Sequence, residues 1–376
     1  MLGFVPNFLR HLAQATGPAY PGLKVTSPGY LQMLLQNRSN PRVQVLNDGW
    51  DGNEGTFREM KVKYRERGIE DNTQESDTCD LDVIPVYKEA DVSLRFFRAV
   101  AIGIDQPTLA RYEAEALRSV LVGQPATPMM NELLGGIIEQ LNGLFQAIDN
   151  DLISLQASNF GKNARTGVIV PPDINISKDG TINNLSDGLG LILADLVTNE
   201  FSNQTPIIVG SGLFNNYHVQ RMANMIGINQ AGQNNQNFPY RFFYDRKAAT
   251  AWGTDDIGVF EPGAVSLLHR NKYKGAFAGE HGTSKFFTMT PPIVDQFGMS
   301  LAPFTLDAQL RYIDCPTDIT VNSYGGTRRF DRGYVLTVSA YFDQFNIPGD
   351  AYNSSDPLYG TNGTLWYNIT NECETC

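Results

Sequence analysis

The chain is poor in the residues that most often do chemistry. It holds four cysteines and four histidines in 376 residues. The cysteines are Cys79, Cys315, Cys373 and Cys376. Cys373-Glu-Thr-Cys376 has the CxxC spacing of half a zinc site or of a redox pair. A zinc site needs a second Cys/His pair, and none stands at motif spacing. A redox CxxC opens a helix after a strand, whereas this one stands at the end of the sequence. The reading is four reduced thiols and no metal. His11, His218, His269 and His281 are scattered. No GxxxxGK[ST], HExxH or GxSxG occurs, and Gly188-Leu-Gly190 lacks the rest of a dinucleotide fingerprint. Glu280-His281, between Gly279 and Gly282, is the best acid/base candidate, set in what reads as a flexible polar loop.

Positive charge is also scarce. Lys and Arg number 29 against 40 Asp and Glu, for a net charge of −11. A protein whose main task is gripping nucleic acid wants a basic face, so that class is disfavoured, although lying near packaged nucleic acid is compatible. No run approaches 18 apolar residues, so no helix is expected to span a membrane. The stretch 1–12 lacks a basic n-region and is interrupted by Arg10 and His11, which suits a signal peptide poorly. Without export, the sequons at Asn353, Asn362 and Asn368 read as chance. There is no internal repeat.

What is plentiful is turn-forming sequence, with 35 Gly and 20 Pro, and periodic apolar pattern. The dominant element is 128–159. Thr127-Pro128 gives an N-cap and a proline where a missing N–H costs nothing. Met130, Leu134, Ile137, Leu141, Leu144, Ile148, Leu152 and Leu155 then recur at steps of three and four, one stripe of a helix. About 30 residues at 1.5 Å each make a rod of roughly 45 Å. Gly135, Gly136 and Gly143 inside it each cost roughly 1 kcal/mol against alanine, which suggests close packing or a bend.

Upstream, 1–40 holds short apolar patches and a predicted amphipathic helix after Pro28-Gly29, a segment with little core of its own. In 41–92, a strand at 43–47 leads to a Gly/Asn/Asp turn cluster. Met60, Val62 and Tyr64 then alternate with Lys61, Lys63 and Arg65, a strand with one apolar and one basic face. An acidic loop follows (Glu70, Asp71, Glu75, Asp77, Asp80, Asp82), then strands at 81–87 and 92–97. A long two-stranded hairpin is marginal alone in water. The stripe Arg58, Lys61, Lys63, Arg65 and Arg67 is therefore read as an inter-subunit contact that meets an acidic surface. The alternative is a solvated hairpin kept soluble by its charges. Arg95-Phe-Phe-Arg98 reads as a half-buried strand rather than a nucleic-acid stacking site.

Downstream, 107–122 is predicted helical, and 165–300 reads as a separate α/β domain. That domain has helices at 185–201 and 214–226, short strands at 206–210, 240–244 and 256–260, and a turn with a short helix at 262–270. Leu189, Leu191, Ile192, Ala194, Leu196 and Val197 are placed on or near one helix face. Residues 301–347 return to strands, 334–342 most clearly, and 348–376 form a Gly/Asn/Ser/Tyr tail.

In this order the chain resembles the major capsid protein of tailed bacteriophages, the Hong Kong 97-type fold shared with encapsulins. The similarity is strongest in Pro28-Gly-Tyr-Leu-Gln-Met-Leu-Leu with Phe57-Arg-Glu-Met-Lys-Val-Lys-Tyr-Arg-Glu-Arg-Gly and Asp77-Thr-Cys79, which look like capsid proteins from phages of Bacteroides-like hosts. The 128–159 helix looks like the spine helix. Ile207-Ile-Val-Gly and Phe260-Glu-Pro-Gly-Ala-Val look like A-domain segments. The resemblance implies an α+β fold with an N-terminal arm (1–40), an E-loop hairpin (41–92), a P-domain with the spine helix (93–164), an A-domain (165–300), return strands (301–347) and a tail (348–376). It implies a non-enzymatic subunit, without cofactor, that assembles with itself into hexamers and pentamers of an icosahedral shell around double-stranded DNA. Separate scaffolding, portal and decoration proteins are the implied partners. DNA would be met without sequence specificity, there would be no membrane, and assembly would occur in the host cytoplasm. Lys61 and Lys63 are crosslink candidates by region only. Two other classes are set against this: a cytosolic enzyme using the Glu280-His281 loop, and a secreted adhesin glycosylated at Asn353, Asn362 and Asn368.

Overall fold

A computed structural model describes residues 24–36, 42–46, 57–65, 87–111, 114–115, 128–169, 173–175, 191–199, 205–212, 214–216, 240–273, 279–281, 284–295, 298–314, 317–321, 326–330, 332–349 and 360–370. The four cysteines, Arg67, the acidic loop, most of the 81–87 strand, His11, His218, Asn353 and the Met130 side chain lie outside them.

The apolar stripe becomes the helix Pro128–Ala157. Leu134, Ile137, Leu141, Leu144, Ile148 and Leu152 are buried, and Leu155 is half-buried. Each such side chain contributes about 1.5–3 kcal/mol by leaving water. At the C-terminal end, the Ser158 hydroxyl and the Asn159 amide both donate to the Leu155 carbonyl at 2.9 Å, satisfying an orphan acceptor. The three glycines need correction. An added Cβ at Gly135, Gly136 or Gly143 would meet nothing within 4 Å, so close packing does not explain them.

The helix covers one face of a six-stranded sheet. Its axis is the strand Gly333–Asn346. Phe96–Asp105 pairs along one edge of that strand, and Leu306–Ile313 and Val265–Arg270 follow each other along the other. Ser284–Met289 and Gly279–His281 complete the order. Leu336, Val338, Ala340 and Phe342, with Leu306, Ala308 and Leu310, point at the helix and form the core. Arg98 adds a bidentate pair to Asp151 of the helix, with both contacts at 2.6 Å. Two sequence readings change here. The turn at 262–264 is as read, but Val265–Arg270 is a strand, not a short helix. Glu280 and His281 lie in an edge strand, not a flexible loop.

A second, five-stranded sheet runs in the order Asp173–Asn175, Thr364–Thr370, Ile257–Phe260, Ile207–Gly210, Arg241–Tyr244. The supposed tail therefore supplies an interior strand, with Leu365, Tyr367 and Ile369 buried. One face packs on Ile192 and Leu196 of the helical segment 191–198. Leu191 and Val197 of that segment are exposed, so the apolar face is narrower than expected. Ile207, Val209 and Phe260 point the other way, into the main core. The sheets thus divide the chain differently from its sequence order: 265–270, 279–281 and 284–289 join the large sheet and 364–370 joins the small one.

Between the two sheets sits the helix Gly29–Gln36. It is not amphipathic. Every residue from Gly29 to Leu35 is buried, so it has its place in the core of its own chain.

Candidate assembly surfaces

The charged region is a three-stranded sheet: Val43–Val45, Glu59–Tyr64 and Lys88–Ser93. Its alternation is as read from the sequence. Met60, Val62 and Tyr64 are buried against Leu94, Leu268, Phe345 and Ile347, side chains of the large sheet and its flanks. Lys61 and Arg65 face outward, and Lys63 is half-buried. The hairpin is thus neither two-stranded nor alone. Its root is clamped. The Arg270 guanidinium, itself buried, donates to the carbonyls of Phe57 and Glu59 at 3.0 and 2.9 Å. Arg42 pairs with buried Glu261 at 2.8 Å. Arg95 grips Asp343 through Nε and Nη2 at 2.7 and 2.8 Å, and these carboxylate contacts raise its pKa further.

The structure also says what stands beside the basic stripe. Lys61 is directly opposite Asp91 and Lys63 opposite Glu89 on the next strand. The Lys63 ammonium lies 4.8 Å from the Tyr87 ring centre. The outer face is therefore of mixed sign, not basic. Arg58 leaves the stripe and lies 5.3 Å from the ring centre of Tyr341. Arg65 donates its backbone N–H to the Arg42 carbonyl at 3.0 Å. Arg67 lies outside the described residues. Sequence reasoning could not find Glu89 and Asp91, because nothing local fixes the register of the two strands.

A second surface is the large-sheet face turned away from the long helix. Ala99, Ala101, Gly103, Gln309, Arg311, Thr337 and Ser339 line it, small or polar and partly or fully exposed, while Ile313 and Val335 on the same face are buried against each other. At one end Phe97, 45% exposed, packs 4.6 Å from Tyr341, which also meets Phe57 at 4.9 Å. Phe96 stacks on Phe342 at 5.6 Å on the core side, so the Arg-Phe-Phe-Arg segment is a half-buried strand as read. Strand Phe96–Asp105, 10 residues long, is an outer edge of this sheet among the described residues.

The acid/base candidate lies in the edge ladder of the large sheet. Glu280 stands opposite Lys285 and His281 opposite Ser284 in the edge ladder. Among the described residues no three His, Cys, Asp or Glu side chains converge to hold a metal. An open cleft of about 620 Å³ is lined by Leu35, Gln36, Arg241, Asp295, Met299 and Leu301. Its Asp295 carboxylate already accepts the Met299 N–H at 2.8 Å. No described helix is long and apolar enough to cross a membrane. At Asn362, the side-chain amide donates to the Asn159 carbonyl at 2.9 Å.

No protein-family model matches the chain, and no curated protein does. Solved structures do. A chain from Mycobacterium phage Che8 is 8% identical, covering 94% of this chain and 95% of that one, with a TM-score of 0.41. A chain from the Cyanophage A-1(L) capsid asymmetric unit is 10% identical over 94% of this chain and 95% of that one, at 0.40. A chain from the capsid structure of Cyanophage P-SCSP1u is 11% identical over 84% of each, at 0.38.

Proposed function

We propose that this chain is the structural subunit of an icosahedral phage shell, assembling with itself into hexamers and pentamers around double-stranded DNA. The observation that carries the proposal is the bracing of one sheet face by a single 30-residue helix while, among the described residues, the other face is partly exposed around Ala99, Ala101, Thr337 and Ser339 and the 10-residue strand Phe96–Asp105 is paired on one side alone. Monomers shield long edges or twist them away, because an open edge is a template for another chain. A tile in a shell has neighbours to cover it.

In this reading the long helix and the large sheet are the P-domain with its spine, and the five-stranded sheet is the A-domain. The three-stranded sheet roots the E-loop. Lys61, Lys63, Arg65 and Arg67, with Arg58 at the root, make the inter-subunit contact. Net charge of −11 suits a wall that meets DNA without gripping it. Scaffolding, portal and decoration proteins would be separate chains, assembly would take place in the host cytoplasm, and no catalytic step is assigned. Sedimentation velocity on the purified full chain tests this. Rings or larger closed species across a concentration series support it, and a monomer that persists at every concentration and salt overturns it.

A further inference from the structure

The buried helix Gly29–Gln36 ends against two carboxyl groups. The Tyr30 N–H donates to Asp245 Oδ2 at 2.8 Å, and the Leu31 N–H donates to Asp149 Oδ1 at 2.8 Å. Asp149 comes from the middle of the long helix. Asp245 follows the strand Arg241–Tyr244 of the second sheet. Three separate parts of the fold meet at this point. The approach is close, since a Cβ at Gly29 would stand 2.1 Å from the Tyr244 carbonyl oxygen. Asp149 is fully buried and Asp245 is 3% exposed. A helix N-terminus favours negative charge, but two adjacent buried carboxylates repel.

The hydrogen bonds say which group holds a proton. Asp245 accepts through both oxygens, Oδ2 from Tyr30 and Oδ1 from the Lys247 N–H at 2.8 Å. Asp149 accepts through Oδ1 alone. Its Oδ2 is buried and, with both groups ionised, has no donor to bond. With a proton on it, Oδ2 becomes the donor and Asp245 the acceptor within reach. The geometry points to a shared proton carried on Asp149 Oδ2 and donated to Asp245, which makes the pair a pH-sensitive latch seating the Gly29–Gln36 helix between the spine and the second sheet.

The surroundings agree. Burial, and then the neighbouring Asp245 charge, push Asp149 well above the usual carboxylate range. Lys247 pulls the other way and more weakly. Among the described residues, Tyr30 is a further titratable group beside Asp149. Its phenol is held protonated by burial, and it bonds Gln344 Oε1 at 2.9 Å and Gln156 Oε1 at 3.2 Å. The folded chain thus binds a proton that the unfolded chain releases. The latch is at full strength in acid and is lost as pH rises through the raised folded value. This inference rests on packing within one chain and stands whether or not the chain assembles.

Asp149→Asn supplies the test, because its amide mimics the protonated acid: Oδ1 still accepts from Leu31 and Nδ2 donates to Asp245. The measurement is hydrogen exchange by mass spectrometry on peptides spanning 29–36 of the full chain, from pH 5 to 9, expressed as protection relative to the unstructured peptide at each pH. The parent should lose protection at least tenfold toward alkaline pH, while Asp149→Asn should hold it constant. Asp245→Asn should lose protection at every pH, because an amide nitrogen replaces an oxygen that accepts an N–H. Parent protection that does not change with pH overturns the latch. So does an Asp149→Asn profile parallel to the parent's. If Asp149→Asn does not fold, the parent profile alone decides.

Discussion

Exchanging charges across the three-stranded sheet separates what the basic stripe does for its own chain from what it does for a neighbour. Lys61 faces Asp91 and Lys63 faces Glu89 in register. Lys61→Glu with Lys63→Glu turns two attractive pairs into two repulsive ones. Such pairs are worth about 0.2–1 kcal/mol each, and like charges cost a similar amount. Lys61, Asp91 and Glu89 are exposed, which places the effect near the lower end and makes it salt-dependent. The expected loss is roughly 1 kcal/mol at low salt, read as a lower urea midpoint. Adding Glu89→Lys and Asp91→Lys restores opposite pairing, and the midpoint should return to within about 0.3 kcal/mol of the parent. The positive column has then moved by one strand, roughly 4.8 Å. A neighbour's acidic surface would meet the wrong sign, so the four-fold variant should fold like the parent and assemble less. An unchanged midpoint in the double variant refutes the cross-strand reasoning. Unimpaired assembly in the stable four-fold variant refutes the neighbour contact.

Three further outcomes follow from packing. Gly136→Ala and Gly143→Ala point into open space and should each raise the thermal midpoint, by about 1 kcal/mol of helix propensity, read by calorimetry. Tyr367→Phe removes the 2.9 Å hydroxyl bond to buried Asp195, which keeps Asn163 and Arg165 as partners. The expected cost is about 1–2 kcal/mol in urea unfolding. Gly161→Ala would set a Cβ 2.2 Å from Asn362 Oδ1 and should loosen the Thr364–Thr370 strand, visible as faster exchange of peptides from that strand.

The elements legible in the sequence were those with a clean period. The stripe from Leu134 to Leu152 predicted the long helix, and Met60, Val62 and Tyr64 predicted the strand and its buried face. Where both faces of an element are buried, the period vanishes. Val265–Arg270 has five of its six residues buried, including His269 and Arg270, and so carries no alternation to read. Gly29–Gln36 is a helix without a wet side for the same reason. Thr364–Thr370 does alternate, but it lies in turn-rich sequence that reads as a tail. The latch had one visible trace. Asp149 and Gln156 lie two turns apart beside Ile148 and Leu152, polar residues on the buried side of an apolar stripe. Their partners come from Tyr30, Leu31, Asp245 and Gln344, joined only by the fold.

The claim that this chain is a shell tile meets its most direct test in negative-stain microscopy of the purified full chain. The account predicts closed particles, or hexameric and pentameric rings. A homogeneous small species that forms neither, under any condition in which the chain stays folded, would contradict it.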